Sequence, residues 1–286
     1  MDATAQRTAF VFAGGGSLGA VQVGMLRALF ATELRPDFVV GSSVGAINAA
    51  YLAGNPTPDG VADLEALWRS VRRRDVFPLS FTRLAGLFFH PDYVVESNGL
   101  RALIERHLPY ASLEDARIPA HVMATDQQGV SIALSHGPAV EAILASTAIP
   151  GIYPPVQVDG HWLMDGAISA DTPILHAIEL GATRVVVFPT GYACALKAPP
   201  RGIVAKALHA ITLMIAWRLM RDIDAALAAG VRVHLAPALC PLVVSPYDFS
   251  ATSELIERAA RSTRHWIERG GLERQADPQE LAAHGH

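Results

Sequence analysis

Lysine, cysteine, linker sequence and long uninterrupted apolar runs are all scarce in this chain, and each shortage excludes something. Among 286 residues only Lys197 and Lys206 are lysines, and the net charge is −4. No dense basic stripe is available to neutralise a phosphate backbone, so nucleic acid is not an expected partner, although arginines supply local positive patches. The two cysteines, Cys194 and Cys240, have no metal-ligand spacing and form no disulfide framework. That usage suits a reducing, cytoplasmic compartment, and neither cysteine is assigned a role. The short apolar run over residues 8–13 leads into glycines rather than a cleavage site and reads as a core strand. Residues 203–220 are apolar, but Lys206, His209 and Arg218 interrupt them, and Arg221 and Asp222 follow at once. They read as a buried or interfacial helix rather than a membrane span. No Pro/Gly/Ser-rich linker divides the chain, and 51% of its residues are hydrophobic. The expectation is one elaborated domain over residues 1–271 with a polar tail over 272–286.

What is present alternates between two periods. Fully apolar runs over 8–13, 38–40 and 183–189 predict buried strands, and Val231 begins another over 231–235. Helical spacing predicts helices over 20–34, 44–52, 59–74, 98–108, 139–148, 172–181 and 252–267. Two hairpins are expected: residues 120–125 and 130–134 about Asp126-Gln127-Gln128-Gly129, and 156–158 and 161–164 about Asp159-Gly160. The alternation predicts an α/β fold, with a mainly parallel central sheet, helices on both faces and the hairpins as additions. Residues 77–95, dense in Phe, Leu and Pro, read as a cap over a site, a lipid-facing surface or an irregular core-packed excursion.

Three stretches carry chemistry. Gly41-Ser42-Ser43-Val44-Gly45 fits Gly-x-Ser-x-Gly between a strand and a helix, which places Ser43 on a sharp turn as a candidate nucleophile. Gly41 and Gly45 leave room for the turn, and the helix start offers unpaired N–H groups beside the hydroxyl. Gly14-Gly15-Gly16-Ser17-Leu18-Gly19 follows the first strand, and its amides could cradle an oxyanion or a pyrophosphate. A dinucleotide site also needs an acid after the second strand, but Val39-Val40 runs straight into the serines, and Asp37 precedes the strand. Cofactor binding is therefore the minor reading. Asp165-Gly166-Ala167 follows the second hairpin.

In their order and spacing, together with Ala145-Ser146-Thr147-Ala148-Ile149-Pro150-Gly151 and Pro154-Pro155, these stretches resemble the patatin-like phospholipase family over residues 10–188. The resemblance implies a three-layer α/β/α fold and a serine acyl hydrolase acting on lipid or other acyl esters, in peripheral contact with a membrane. It implies a dyad of Ser43 as nucleophile and Asp165 as base, with oxyanion donors from Gly14, Gly15, Gly16 and Ser17. Gly19, Gly41, Gly45, Gly166 and Ala167 complete the motifs, and neither metal nor cofactor is needed. The family frequently carries Arg or Lys where this chain has Leu18, which turns the expectation from anionic phospholipids toward neutral esters or lysophospholipids. Two alternatives stand beside this reading. One is an α/β-hydrolase esterase with a Ser-His-Asp triad using His209, His234 or His265; the other is a non-catalytic lipid-binding module.

Overall fold

The computed structural model describes residues 6–77, 93–191, 203–240, 242 and 244–278. The expected excursion over 77–95 and the end of the polar tail thus lie mostly outside the described residues. The chain opens with β1 (Thr8–Phe12), a 3-10 turn (Gly16–Leu18) and α1 (Gly19–Leu29), followed by β2 (Phe38–Ser42) and α2 (Val44–Gly54). Next come α3 (Pro58–Ser70), the short α4 (Arg73–Val76) and α5 (Asn98–His107). The middle of the chain holds β3 (Ala120–Asp126), β4 (Ser131–Leu134), α6 (Ala139–Ser146), β5 (Val156–Val158) and β6 (His161–Asp165). The remainder is α7 (Ala167–Ala170), α8 (Ile174–Glu179), β7 (Arg184–Phe188), α9 (Ile203–Ala228), β8 (Arg232–Leu235) and α10 (Thr252–Glu268).

Local chemistry explains most boundaries. Thr57 caps α3 by accepting the Gly60 amide, and Pro58 occupies the first turn, where its missing N–H costs nothing. The helix expected over 59–74 is instead two, because Val71 turns extended at φ −65°, ψ 136°. The helix expected over 20–34 ends at Leu29, and the Arg35 guanidinium donates to the Thr32 and Leu34 carbonyls in the turn that follows. Asp159 and Gly160 both take positive φ, as a two-residue hairpin turn requires.

Eight strands form one sheet, in the order β5-β6-β3-β2-β1-β7-β8 with β4 also on β3. The block β3-β2-β1-β7-β8 is parallel, whereas β4, β5 and β6 pair antiparallel. Period-two alternation sends Phe10, Phe12, Val39, Val186 and Phe188 into one core, beneath α1, α2, α3, α5, α6 and α10. Ala9, Val11, Phe38, Val40, Val185 and Val187 enter the other, beneath α8 and α9. The sheet is thus the middle of three layers. On the first face α10 lies tightly on α1, since a Cβ on Gly24 would run into the Ile256 carbonyl. Arg27 and Arg69, each bonded to both Glu65 and Glu257, clamp α1, α3 and α10 together.

The register on β3 matters most for the site. Val122 and Met123 pair with Gly41 and Ser42 of β2, while Ala124 and Thr125 pair with Asp165 and Met164 of β6. All four residues also pair with β4. A strand has two edges, so β4 holds one and β2 and β6 share the other, meeting end to end. The last residues of β2 and β6 are therefore neighbours although they are far apart in sequence.

The cysteine expectation needs correction. Cys240 is disulfide-bonded, its partner lying outside the described residues, so the cysteines no longer argue for a reducing compartment. The segment after Gly271 is not free of the fold: Val233 donates to the Gln275 side chain and accepts from the Ala276 amide. Among the described residues, no helix is long and apolar enough to cross a membrane.

Candidate active site

Ser43 follows β2 directly, at φ 53° and ψ −126°, and α2 begins with the next residue. A non-glycine residue at positive φ costs free energy, which persists only where the surroundings enforce it. Here they do. The Ser43 amide donates to Ser146 Oγ at 2.9 Å, and a Cβ on Gly41 or Gly45 would drive into backbone, the latter into the Phe12 and Ala13 carbonyls. The turn can exist only because those two positions carry no side chain.

The shared edge of β3 brings Asp165 to this turn, where its Oδ2 accepts the Ser43 hydroxyl at 2.7 Å. Both groups are buried, at 6% and 4% exposure. Asp165 Oδ1 accepts the Ala167 amide at 2.8 Å, and Thr125 Oγ1 holds the Asp165 carbonyl, so the carboxylate is fixed at both ends. Gly166 allows the close approach, since a Cβ there would meet the Met123 carbonyl. Burial raises the Asp165 pKa from 3.8 to about 7; the bonds from Ser43 and Ala167 oppose that rise, and the charge of Asp171 adds to it.

The glycine loop covers the same turn. Gly15 and Gly16 have φ of 146° and 59°, and side chains there would collide with Thr190 and the Pro246 carbonyl. The Gly14 amide donates to the Asp171 carbonyl and that of Ser17 to Pro246, whereas the amides of Gly15 and Gly16 have no acceptor among the described residues. Gly19 lets α1 close on Val44 and Trp68. Leu18, at 9% exposure, packs into the core and is not among the residues that line the pocket beside Ser43, so a cation introduced there would be largely buried.

A buried polar chain holds the loop from below. Trp68 Nε1 donates to Asn48 Oδ1, Asn48 Nδ2 to Gln22 Oε1 and the Gly19 carbonyl, and Gln22 Nε2 to the carbonyls of Ala13 and Phe188. The exits of β1 and β7 are thus tied to α1, α2 and α3. Sequence reasoning missed Gln22, Asn48, Thr125, Ser146 as a hydrogen-bond acceptor, and Asp171. A lone amide or hydroxyl in an apolar helix or strand is the one signal that marks several of them, because a buried polar side chain demands a partner.

Ser43 and Gly16 open onto a pocket with walls almost wholly of carbon, whose empty space, counted together with its opening to solvent, is about 630 Å³. Val44, Ile47, Leu67, Trp68, Val71, Val76, Phe77, Leu100, Leu103, Ile149, Tyr153 and Phe249 line it. Among the described residues, no histidine lines this pocket. His234 is within β8 with Nδ1 on the Arg274 carbonyl, and His265 pairs with Glu268, while the side chain of His209 is outside the described set. Among the described residues no group of three or more His, Cys, Asp or Glu could hold a metal ion.

These features define an α/β protein with a serine at a strand-to-helix turn, bonded to a buried carboxylate at the mouth of an apolar pocket. The model of the patatin-like phospholipase family matches residues 10–178, well over half of the chain, and the chain belongs to that family. Patatin-like phospholipase domain-containing protein 7 of Rattus norvegicus is 27% identical over 191 residues, covering 66% of this chain and 14% of the relative. An NTE family protein of Mycobacterium tuberculosis is 29% identical over 170 residues, covering 59% and 44%, and the Escherichia coli protein YjjU is 28% identical over 200 residues, covering 64% and 52%. The chain therefore spans about half or less of the curated relatives it matches. The crystal structure of VipD from Legionella pneumophila aligns with 92% of this chain and 67% of that one at 13% identity and a TM-score of 0.44, too remote to carry an argument.

Proposed function

We propose that the protein is a serine acyl hydrolase of lipid carboxyl esters, with Ser43 as nucleophile and Asp165 as general base. The observation that carries this reading is the 2.7 Å hydrogen bond from Ser43 Oγ to Asp165 Oδ2 at the mouth of a hydrocarbon-lined pocket. Ser43 Oγ attacks the ester carbonyl carbon as its proton passes to Asp165. The carbonyl oxygen takes up negative charge, stabilised by the amides of Gly15 and Gly16 at the positive end of α2. When the tetrahedral intermediate collapses, Asp165 returns the proton to the leaving alcohol, and the acyl group remains on Ser43. Water then attacks the acyl carbon, giving its proton to Asp165, which passes it to Ser43 as the fatty acid leaves. A carboxyl group with a pKa near 7 suits both directions of this transfer at neutral pH. The acyl chain occupies the pocket, where burying each methylene contributes about 0.8 kcal/mol.

A fluorophosphonate probe tests the reading. It is expected to label wild type at Ser43, and Ser43→Ala should lose labelling and about 10⁴-fold or more of its turnover of a p-nitrophenyl ester while staying folded. Labelling at another serine, or normal turnover by the folded variant, would refute it. Labelling without turnover of any lipid ester would favour the non-catalytic lipid-binding alternative.

A further inference from the structure

Helix α9 has a feature that the acyl pocket does not explain. It connects β7 to β8, which are parallel, so it runs back from the C-terminal ends of the strands to their N-terminal ends. Its 26 residues span about 39 Å at 1.5 Å per residue, about twice the length of the five-residue β7. Ala216, Leu219, Ile223 and Ala226 form its buried stripe, the last three packing into the core beneath the sheet. The first half of the helix therefore projects past the strand ends, on the side of the sheet where Ser43 follows β2.

Away from the buried stripe, the end of this projecting half and the turn that follows it carry large apolar groups in water: Ile211 is 51% exposed, Met214 71% and Trp217 65%. Three such residues within two turns form a continuous patch, unlike isolated exposed apolar residues, which are ordinary. Lys206 and Arg221 are exposed cations, whereas Arg218 is ion-paired with Asp222 at 3.9 Å; no acidic residue occurs between positions 203 and 221, and Asp222 and Asp224 follow. A helix that exposes Trp and aliphatic groups beside Lys206 and Arg221, with its first acids only beyond Arg221, matches the interface of an anionic bilayer, where apolar groups enter the acyl boundary and cations meet the headgroups. A protein surface would have to present an apolar groove ringed by acids to match equally well.

We propose that the face of α9 formed by Ile211, Met214 and Trp217, with Lys206 and Arg221 beside it, is a lipid-docking surface that seats the protein on an anionic membrane with its catalytic edge toward the lipid. The lipid identity of the substrate rests on the function proposed above, but docking itself does not require turnover. Binding is therefore measured with the Ser43→Ala protein, by co-sedimentation with phosphatidylcholine vesicles with and without phosphatidylglycerol. Binding is expected with phosphatidylglycerol and should weaken with added salt. Met214→Ser with Trp217→Ser should weaken it about tenfold or more, and Lys206→Gln with Arg221→Gln several-fold, whereas Trp217→Phe should retain it. In the Ser43-containing protein, the Met214/Trp217 change should leave turnover of a short soluble ester unchanged and slow only turnover of vesicle lipid.

Three results would overturn the docking face: no binding of the parent protein to anionic vesicles, undiminished binding after the Met214/Trp217 change, or a dimer in solution that the same change dissociates. Failure of the catalytic reading has a separate signature, in which vesicles are bound through α9 but the wild type hydrolyses no ester.

Discussion

The parallel and antiparallel parts of the sheet are built on different principles, and each delivers one of the two groups that meet at the site. In the parallel part, β2 is buried on both faces and ends in a strand-to-helix turn whose glycines force Ser43 into a strained conformation. In the antiparallel part, β5 and β6 form a local hairpin about Asp159-Gly160, half exposed along its length, and its last residue is Asp165. The first position is fixed by close packing of backbone on backbone. The second is fixed by pairing on β3 and by hydrogen bonds at both ends of one residue. A hydrogen-bonded Ser-Asp pair can therefore be assembled from a rigid turn and an appended hairpin, provided that a third strand sets their common register.

After Ser43→Ala, the largest expected effect comes from disabling the hairpin's contribution alone. Asp165→Asn keeps the turn and the shape but removes the proton acceptor, so kcat should fall by about 10²- to 10⁴-fold, while His234→Ala and His265→Ala should not reduce it. Retained activity in Asp165→Asn with loss in a folded histidine variant would replace the dyad by a triad. Thr125→Val tests the junction between the two parts. Losing the bond from Thr125 Oγ1 to the Asp165 carbonyl should cost about 1 kcal/mol of positioning, seen as a several-fold drop in kcat with little change in KM. An equal loss in KM alone would place the effect in substrate binding instead.

Stability should respond to the same buried carboxyl groups. Asp165 and Asp171 rise from 3.8 to about 7 and about 6 on folding, both chiefly through burial. A raised folded value means that the unfolded state ionises first, so their contribution is intact below about pH 4 and is lost as pH rises through 6 and 7. The melting temperature of Asp165→Asn relative to wild type should accordingly increase from pH 4 to pH 8. A difference independent of pH would show that the buried carboxylate carries no ionisation penalty.

The smallest effect isolates Asp171, whose backbone anchors Gly14 and whose side chain accepts the Thr172 hydroxyl. Arg218 is the cation that acts on it, and its own charge helps to raise Asp165. The acidic limb of kcat/KM should lie near pH 7 in wild type, because Asp165 must be ionised to accept the proton. Asp171→Asn should move that limb toward acid by less than about one pH unit. A shift toward alkali would reverse the assigned coupling.

Much of the fold was legible because it is written in short-range patterns. Both hairpins, the β2 strand with its serine turn, and the α/β class follow from runs of two periods and from Gly, Pro and Asp-Gly punctuation. Errors fell where local patterns are silent. The helix over 59–74 broke at Val71, a residue with no turn chemistry, and α7 (Ala167–Ala170) was too short for a period to show.

By itself, the sequence determined the strand-turn-helix around Ser43, the glycine loop and the Asp-Gly hairpin, since each depends on residues within a few positions of one another. Only the tertiary structure decided that Ser43 and Asp165 touch, that Gly15 and Gly16 rather than Gly14 and Ser17 have amides with no acceptor among the described residues, and that an apolar pocket opens beside them. The physical reason is the end-to-end sharing of one β3 edge by β2 and β6. That register depends on packing across strands from distant parts of the chain, and no local spacing encodes it.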